Sequence, residues 1–332
     1  MKLLKLAAQS AWSRRVSLML AMFSIAISIL LLLGVDTVRK EAKHTFLNTL
    51  SGTDLIVGAR SGPENLLLYS VFRIGNATNN ISYQTYEDIA TMPEVAWTIP
   101  ISLGDSHRGF RVMGTNKDYF EFYRYGRKQA LSFSGGEPFA DVYEAVLGAD
   151  VARQLDYQLG DSLVLAHGIG DNTLAKHDDK PFKVVGILER TGTPVDRTVH
   201  VSLEGIEAIH IDWQSGTRSP LKISAEQAKK MDLQPELITA FMLGLNNRAQ
   251  TFQLQRRINE YRAEPLLAIL PGATLASLWR TVGNFEKVLL AVSTLVLMAG
   301  LMGLLTTLLT TLNERRREMA VLRSVGAHAY HI

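Results

Sequence analysis

Two uncharged runs, residues 16–35 and 288–312, lie near the ends of this chain and enclose the mostly polar residues 36–287. A helix rises about 1.5 Å per residue and the hydrocarbon core of a bilayer is about 30 Å thick. The first run is then just long enough to span, and the second spans with some tilt. Lys2, Lys5, Arg14 and Arg15 precede the first run, and Arg315, Arg316, Arg317 and Arg323 follow the second. The positive-inside rule places both termini in the cytoplasm and the central domain on the other side. The first run is longer than the apolar stretch of a secretory signal. Leu33-Gly34-Val35-Asp36 is also a poor cleavage site, so the run reads as an anchor that stays.

The formal charge of +3 conceals a split. The two ends carry eight basic and two acidic residues, against 27 basic and 30 acidic in residues 36–287. The basic balance is thus a topology signal, and no basic stripe suggests nucleic acid. The absence of cysteine excludes disulfides, thiolate metal sites and a cysteine nucleophile.

Residues 1–15 read as a short amphipathic cytoplasmic segment, with Trp12 at headgroup depth. Beyond the first span the helical period continues through Val38, Ala42, Phe46 and Leu50 to Ser51-Gly52. Before the second span Leu275, Leu278, Val282 and Phe285 repeat it after Pro271-Gly272. Residues 36–50 and 273–287 are therefore expected to pair as a stalk. Between them, residues 51–125 and 231–272 alternate strands (54–59, 67–74, 95–103, 109–114, 237–245, 266–270) with helices (82–92, capped by Ser82, and 248–262). Residues 126–230 turn to Gly, Asp and β-branched types, with candidate strands at 145–147, 162–166, 182–187 and 198–201. They read as an inserted, mainly-β subdomain. The fold class is an α+β membrane protein: two transmembrane helices with stalk extensions flank one large α+β domain outside.

Immediately after the second span comes Asn313-Glu-Arg-Arg-Arg-Glu-Met-Ala-Val-Leu-Arg-Ser-Val-Gly-Ala327. A topology flank needs only charge. This segment also carries an apolar stripe, Met319, Leu322 and Val325, with the arginines expected elsewhere, and it stops at Gly326. Residues 313–332 therefore read as a short helix at the membrane surface that docks into a cytoplasmic partner. Residues 314–327 resemble the post-span pattern of the MacB-, FtsX- and lipoprotein-releasing-type permeases of ABC transporters. Val146-Leu-Gly-Ala-Asp-Val-Ala-Arg-Gln-Leu155 with Leu159-Gly-Asp-Ser-Leu163, and Phe182-Lys-Val-Val-Gly-Ile-Leu188, are similar to two further segments of that family.

The resemblance implies an inner-membrane permease with a periplasmic domain, working as a homodimer or as a heterodimer with a related permease, with a possible periplasmic partner. A separate cytoplasmic ATPase would drive it through Glu314, Arg315, Arg316, Glu318, Met319, Leu322, Arg323 and Gly326. It also implies third and fourth spans after the coupling helix, so the chain reads as cut short after the second. No Walker G-x-x-x-x-G-K-[ST] stretch occurs, so ATP use is expected in the partner and no cofactor here. No catalytic residue is assigned: the sequence has no H-E-x-x-H or G-x-S-x-G, and Glu137, Asp141 and Glu144 read as exposed charges. His167, His177, His200 and His210 fall in the inserted region. His177, Asp178 and Asp179 are the candidate metal ligands, but such a triplet on a polar loop is ordinarily solvated surface. Thr191–His200 resembles a subgroup of these permeases that accompanies zinc-uptake proteins, which makes a zinc-associated uptake permease one alternative. The others are a two-span sensor, which should continue into a heptad-patterned signalling helix, and a cell-wall hydrolase activator without transport.

Overall fold

The computed structural model describes residues 12, 15–47, 49–168, 177–214, 217, 218 and 223–324. Two long helices bracket the chain: α1 (Arg15–Leu47) and, at the far end, α9 (Pro271–Ser324). Between them come β1 (Leu55–Ala59), α2 (Pro63–Phe72), α3 (Tyr83–Ala90), β2 (Val95–His107), β3 (Phe110–Thr115) and α4 (Asp118–Phe122). Then follow β4 (Phe133–Gly136), β5 (Glu144–Leu147), α5 (Ala149–Leu155), β6 (Ser162–Leu163), β7 (Ala166–His167), β8 (Phe182–Leu188) and β9 (Thr198–Ser202). The run closes with α6 (Leu203–His210), α7 (Ala225–Ala228), β10 (Ala240–Leu245), α8 (Thr251–Asn259) and β11 (Leu266–Ile269). Residues 44–279 form one compact unit, the head, and the helical segments flanking it form another.

The head is organised by one eleven-stranded mixed sheet in the order β11-β1-β10-β2-β3-β9-β5-β8-β4, with β7 added on β2 and β6 on β8. This corrects the expectation of an inserted subdomain at 126–230. Its strands enter the same sheet because β9 pairs in parallel with β3 through Thr198↔Arg111 to Ser202↔Thr115. A second cause is the length of β2. It runs 13 residues, pairs with β10 through 95–101 and continues to Ser106, where it meets β7. The region does hold a core of its own, around Val112, Leu147, Phe182, Val199, Val201 and Ile209.

One expected strand is a helix. Residues 67–72 belong to α2, whose start is set by Pro63 in its first turn with Glu64 beside it, and whose end is capped by Arg73 in the left-handed conformation. Its apolar run, Leu66, Leu67, Tyr69, Val71 and Phe72, is buried all round, so it lacks the alternation that separates a buried helix from a strand. Ser82 does precede α3. Its side chain makes no capping bond, and instead its backbone N–H donates to the Glu264 carboxylate at 3.1 Å. The start of α9 is rooted in the head: Leu275 packs into the core cluster that contains Leu67, Val71 and Phe72.

Two glycines of the family-like segments have a steric explanation. A Cβ on Gly148 would lie 2.2 Å from the Val195 carbonyl oxygen, and one on Gly186 would lie 2.5 Å from that of Glu137. The loop against Gly148 is stiff. Asp196 accepts hydrogen bonds from the Thr191 and Gly192 amides at 2.8 and 2.7 Å and from the Thr191 hydroxyl at 2.8 Å. A Gly148→Ala substitution is expected to destabilise the head by about 3 kcal/mol, the upper end for overpacking. Gly104→Ala, where nothing lies within 4 Å, should be nearly neutral. Thermal unfolding of the two purified variants measures the difference.

Candidate functional site

The post-span segment is a continuation of α9, which runs unbroken from Pro271 to Ser324. The expected separate helix starting at 313 therefore does not restart there. Arg316, Arg317 and Arg323 are exposed along it and Met319 is half-buried. Glu314, Arg315, Glu318 and Leu322 are helical, but their side chains lie outside the described residues, as do Gly326 and most of residues 1–15. Helix geometry also corrects the expected separation of charge from the apolar stripe. At 3.6 residues per turn, Arg323 stands only about 40° and Arg316 about 60° around the helix from Met319, so these two border the stripe. Upstream on the same helix, Lys287–Thr306 is long and apolar enough to cross a bilayer, with a mean hydropathy of 2.5. It is the one such stretch among the described residues. Val288, Leu295, Met302 and Leu305 stand exposed on it, and Met19, Leu20, Phe23 and Leu30 on α1.

The histidines divide into two groups. His200, on β9, is fully buried against the rings of Tyr119 and Phe120, with centroids 5.1 and 6.0 Å away, and its Nδ1 lies 3.3 Å from the Val146 carbonyl. His177, His167 and His210 converge instead with a residue the sequence did not single out, Asp105. One ligating atom from each of the four lies within 4.8 Å of the other three. The backbone brings them together. The β2–β7 pairing sets His167 directly opposite Asp105, beside an irregularity of the β2–β3 register between Leu103 and Ser106. Such irregularities commonly re-aim a side chain. His210 ends α6. His177 is held beside them by its amide, which donates to the Leu165 carbonyl at 3.0 Å. The Lys180 ammonium, wholly buried, reaches the Asp212 carboxylate at 2.5 Å and ties the segment after His177 to the end of α6.

His167 Nδ1 is 3.0 Å and His210 Nε2 is 3.5 Å from Asp105 Oδ1, and the Nε2 atoms of His177 and His167 are 3.2 Å apart. Burial alone would raise the Asp105 carboxyl, but the His167 and His210 rings outweigh it and hold the group well below the usual carboxylate range. Burial, helped by the neighbouring His210 and His167 rings, pushes His177 down to about 4, so its ring is neutral at ordinary pH. The expected solvated triplet is thus corrected: His177 is buried, while Asp178 and Asp179 are exposed and outside the cluster. Glu144 is half-buried and accepts the Ala140 and Asp141 amides at 2.6 and 2.9 Å, and Asp141 pairs with Lys229 at 2.5 Å, so both hold local structure.

His200 sets a pH limit on the head. Burial, with the Arg73 charge next in weight, drops its imidazole to about 3, against about 6.5 in an unfolded chain. The folded state then refuses a proton that the unfolded state accepts. Its stability is therefore full above about pH 6.5 and falls as the pH drops towards 3, with about 2 kcal/mol lost between pH 7 and 5. In thermal melts across that range, His200→Leu should show a correspondingly shallower acid loss than the parent chain.

The family model for the MacB-like periplasmic core domain matches residues 18–261. Two curated relatives bear the same name, pyoverdine export ATP-binding/permease protein PvdT. That of Pseudomonas aeruginosa is 23% identical over 255 residues, 72% of this chain, and that of Pseudomonas syringae pv. tomato is 23% identical over 261 residues, 73% of it. The chain spans about a third of the length of these relatives, 34% and 36%. Among solved structures, the periplasmic region of MacB from Actinobacillus actinomycetemcomitans aligns with a TM-score of 0.40 at 10% identity, covering 71% of this chain and 95% of that one. The extracellular domain of the noncanonic ABC-type transporter YknZ from Gram-positive bacteria aligns at 0.38 and 12% identity, covering 65% and 99%.

Proposed function

Because this chain belongs to the MacB-like periplasmic core domain family, we propose that it is a permease subunit of an ABC transporter in the inner membrane. The head stands in the periplasm, both ends of the chain are cytoplasmic, and a separate ATPase supplies the energy. Two copies, or one copy and a related permease, would form the working unit. Its cycle would expel or hand on a periplasmic or membrane-derived substrate, in line with relatives named as export ATP-binding/permease proteins.

The observation that carries this reading is the continuity of α9. One helix begins at Pro271, sets Leu275 among core residues of the head, includes the apolar stretch Lys287–Thr306 and ends at Ser324, past the Arg-rich segment around Met319. A helix holds its side chains in fixed register along a rise of about 1.5 Å per residue, so displacement at one end is passed along it. An ATPase that grips the segment around Met319 would act on the head through this helix. Such coupling requires the two states of the permease to differ by no more than the differential binding energy that the ATPase supplies.

Replacing Met319 and Leu322 together by Asp should abolish co-purification with the ATPase while the thermal melt of the head stays unchanged. Undiminished co-purification of that double variant would remove the segment from the coupling role.

A further inference from the structure

We propose that Asp105, His167, His177 and His210 form a binding site for a divalent transition-metal ion, with zinc the cation that fits best. The donor set is the first reason. Three imidazole nitrogens and one carboxylate oxygen suit zinc and its neighbours, whereas calcium and magnesium take oxygen ligands almost throughout. The second is spacing. A tetrahedral zinc with ligands at 2.0–2.1 Å has ligand-to-ligand edges of about 3.3 Å. Each histidine gives an ion one ring nitrogen: through His167 Nδ1 the cluster holds contacts of 3.0 and 3.5 Å to Asp105 Oδ1, and through His167 Nε2 it holds 3.2 Å to His177 Nε2 beside the 3.5 Å His210–Asp105 contact, each pair close to that value. The widest spacing, 4.8 Å, closes with a small torsional adjustment of the partly exposed His167 or His210.

The third reason is that the site is built by the fold. The strand pairing of His167 with Asp105, the end of α6 and the Leu165 bond to His177 each fix a ligand by means other than a metal. The Lys180–Asp212 pair braces two of these segments against each other. Access is graded in the same way. The side chains of Asp105 and His177 are enclosed, while those of His167 and His210 are 37% and 27% exposed, so a cation enters from one side onto a preformed floor. A hydrogen-bonded His–Asp pair would use two of the four groups. Here all four bring a ligating atom within 4.8 Å of the other three.

This inference is independent of the permease reading, because binding is measured without an ATPase. The full chain, purified in detergent, is stripped with a chelator, desalted and titrated with zinc chloride against a chromophoric chelator. Cobalt(II) serves as a spectroscopic substitute. The expected result is one zinc per chain at micromolar concentration or tighter, with cobalt giving the intense visible absorption of a tetrahedral site. His177→Ala and His167→Ala should each weaken zinc by at least about 100-fold, beyond the 10–100-fold typical of outer-shell partners. The metal-free melt of His167→Ala, at the more exposed position, should match that of the parent. The neighbouring pair Asp178→Asn and Asp179→Asn should bind like the parent chain. Failure of the folded parent to bind zinc at tens of micromolar would overturn the assignment, as would affinity equal to the parent's in both histidine variants.

Discussion

A long row of apolar side chains exposed on a helix cannot remain in water, and that constraint governs the account of the molecule. Val288, Leu289, Leu290, Val292, Leu295, Met302 and Leu305 are among those left exposed on α9. Burying a side chain of this kind is worth about 1.5–3 kcal/mol, so leaving the set in water would cost on the order of 10 kcal/mol. That rivals the whole net stability of a domain. Lipid, or other helices within lipid, must cover the stretch.

The head is built on an uninterrupted sheet. Its long strand β2 links what reads in the sequence as two bodies, and β9 closes the join in parallel register with β3. Strands with strong β-branched or aromatic content, such as Phe182–Leu188 and Thr198–Ser202, were legible residue by residue. The far end of β2 was not. Gly104-Asp105-Ser106 is a poor strand former by composition, and it is kept extended by pairing with β7 and, at Ser106, with Arg111 of β3. The helix Pro63–Phe72 was hidden for the opposite reason: burial on all sides erased the periodicity that would have revealed it.

The same distinction governs the candidate sites. The segment around Met319 is contiguous in the chain, so spacing alone exposed it, although its arginines lie nearer the apolar stripe than expected. The cluster of Asp105 with three histidines is assembled by sheet register and a helix end, from residues far apart in sequence. Reading along the chain could find His177 but gave it its neighbours Asp178 and Asp179 as companions. In the fold those two stand outside the cluster, and the partners come from β2, β7 and α6.

The topology of the chain is the central claim, and the absence of cysteine makes it directly measurable. Single cysteines placed at exposed Arg127 in the head and exposed Arg317 beyond the apolar stretch would be probed in intact cells with a membrane-impermeant maleimide. The account predicts labelling at 127 in cells whose outer membrane alone is permeable, and labelling at 317 only after the inner membrane is opened. Labelling at 317 before that step, with 127 protected, would contradict it.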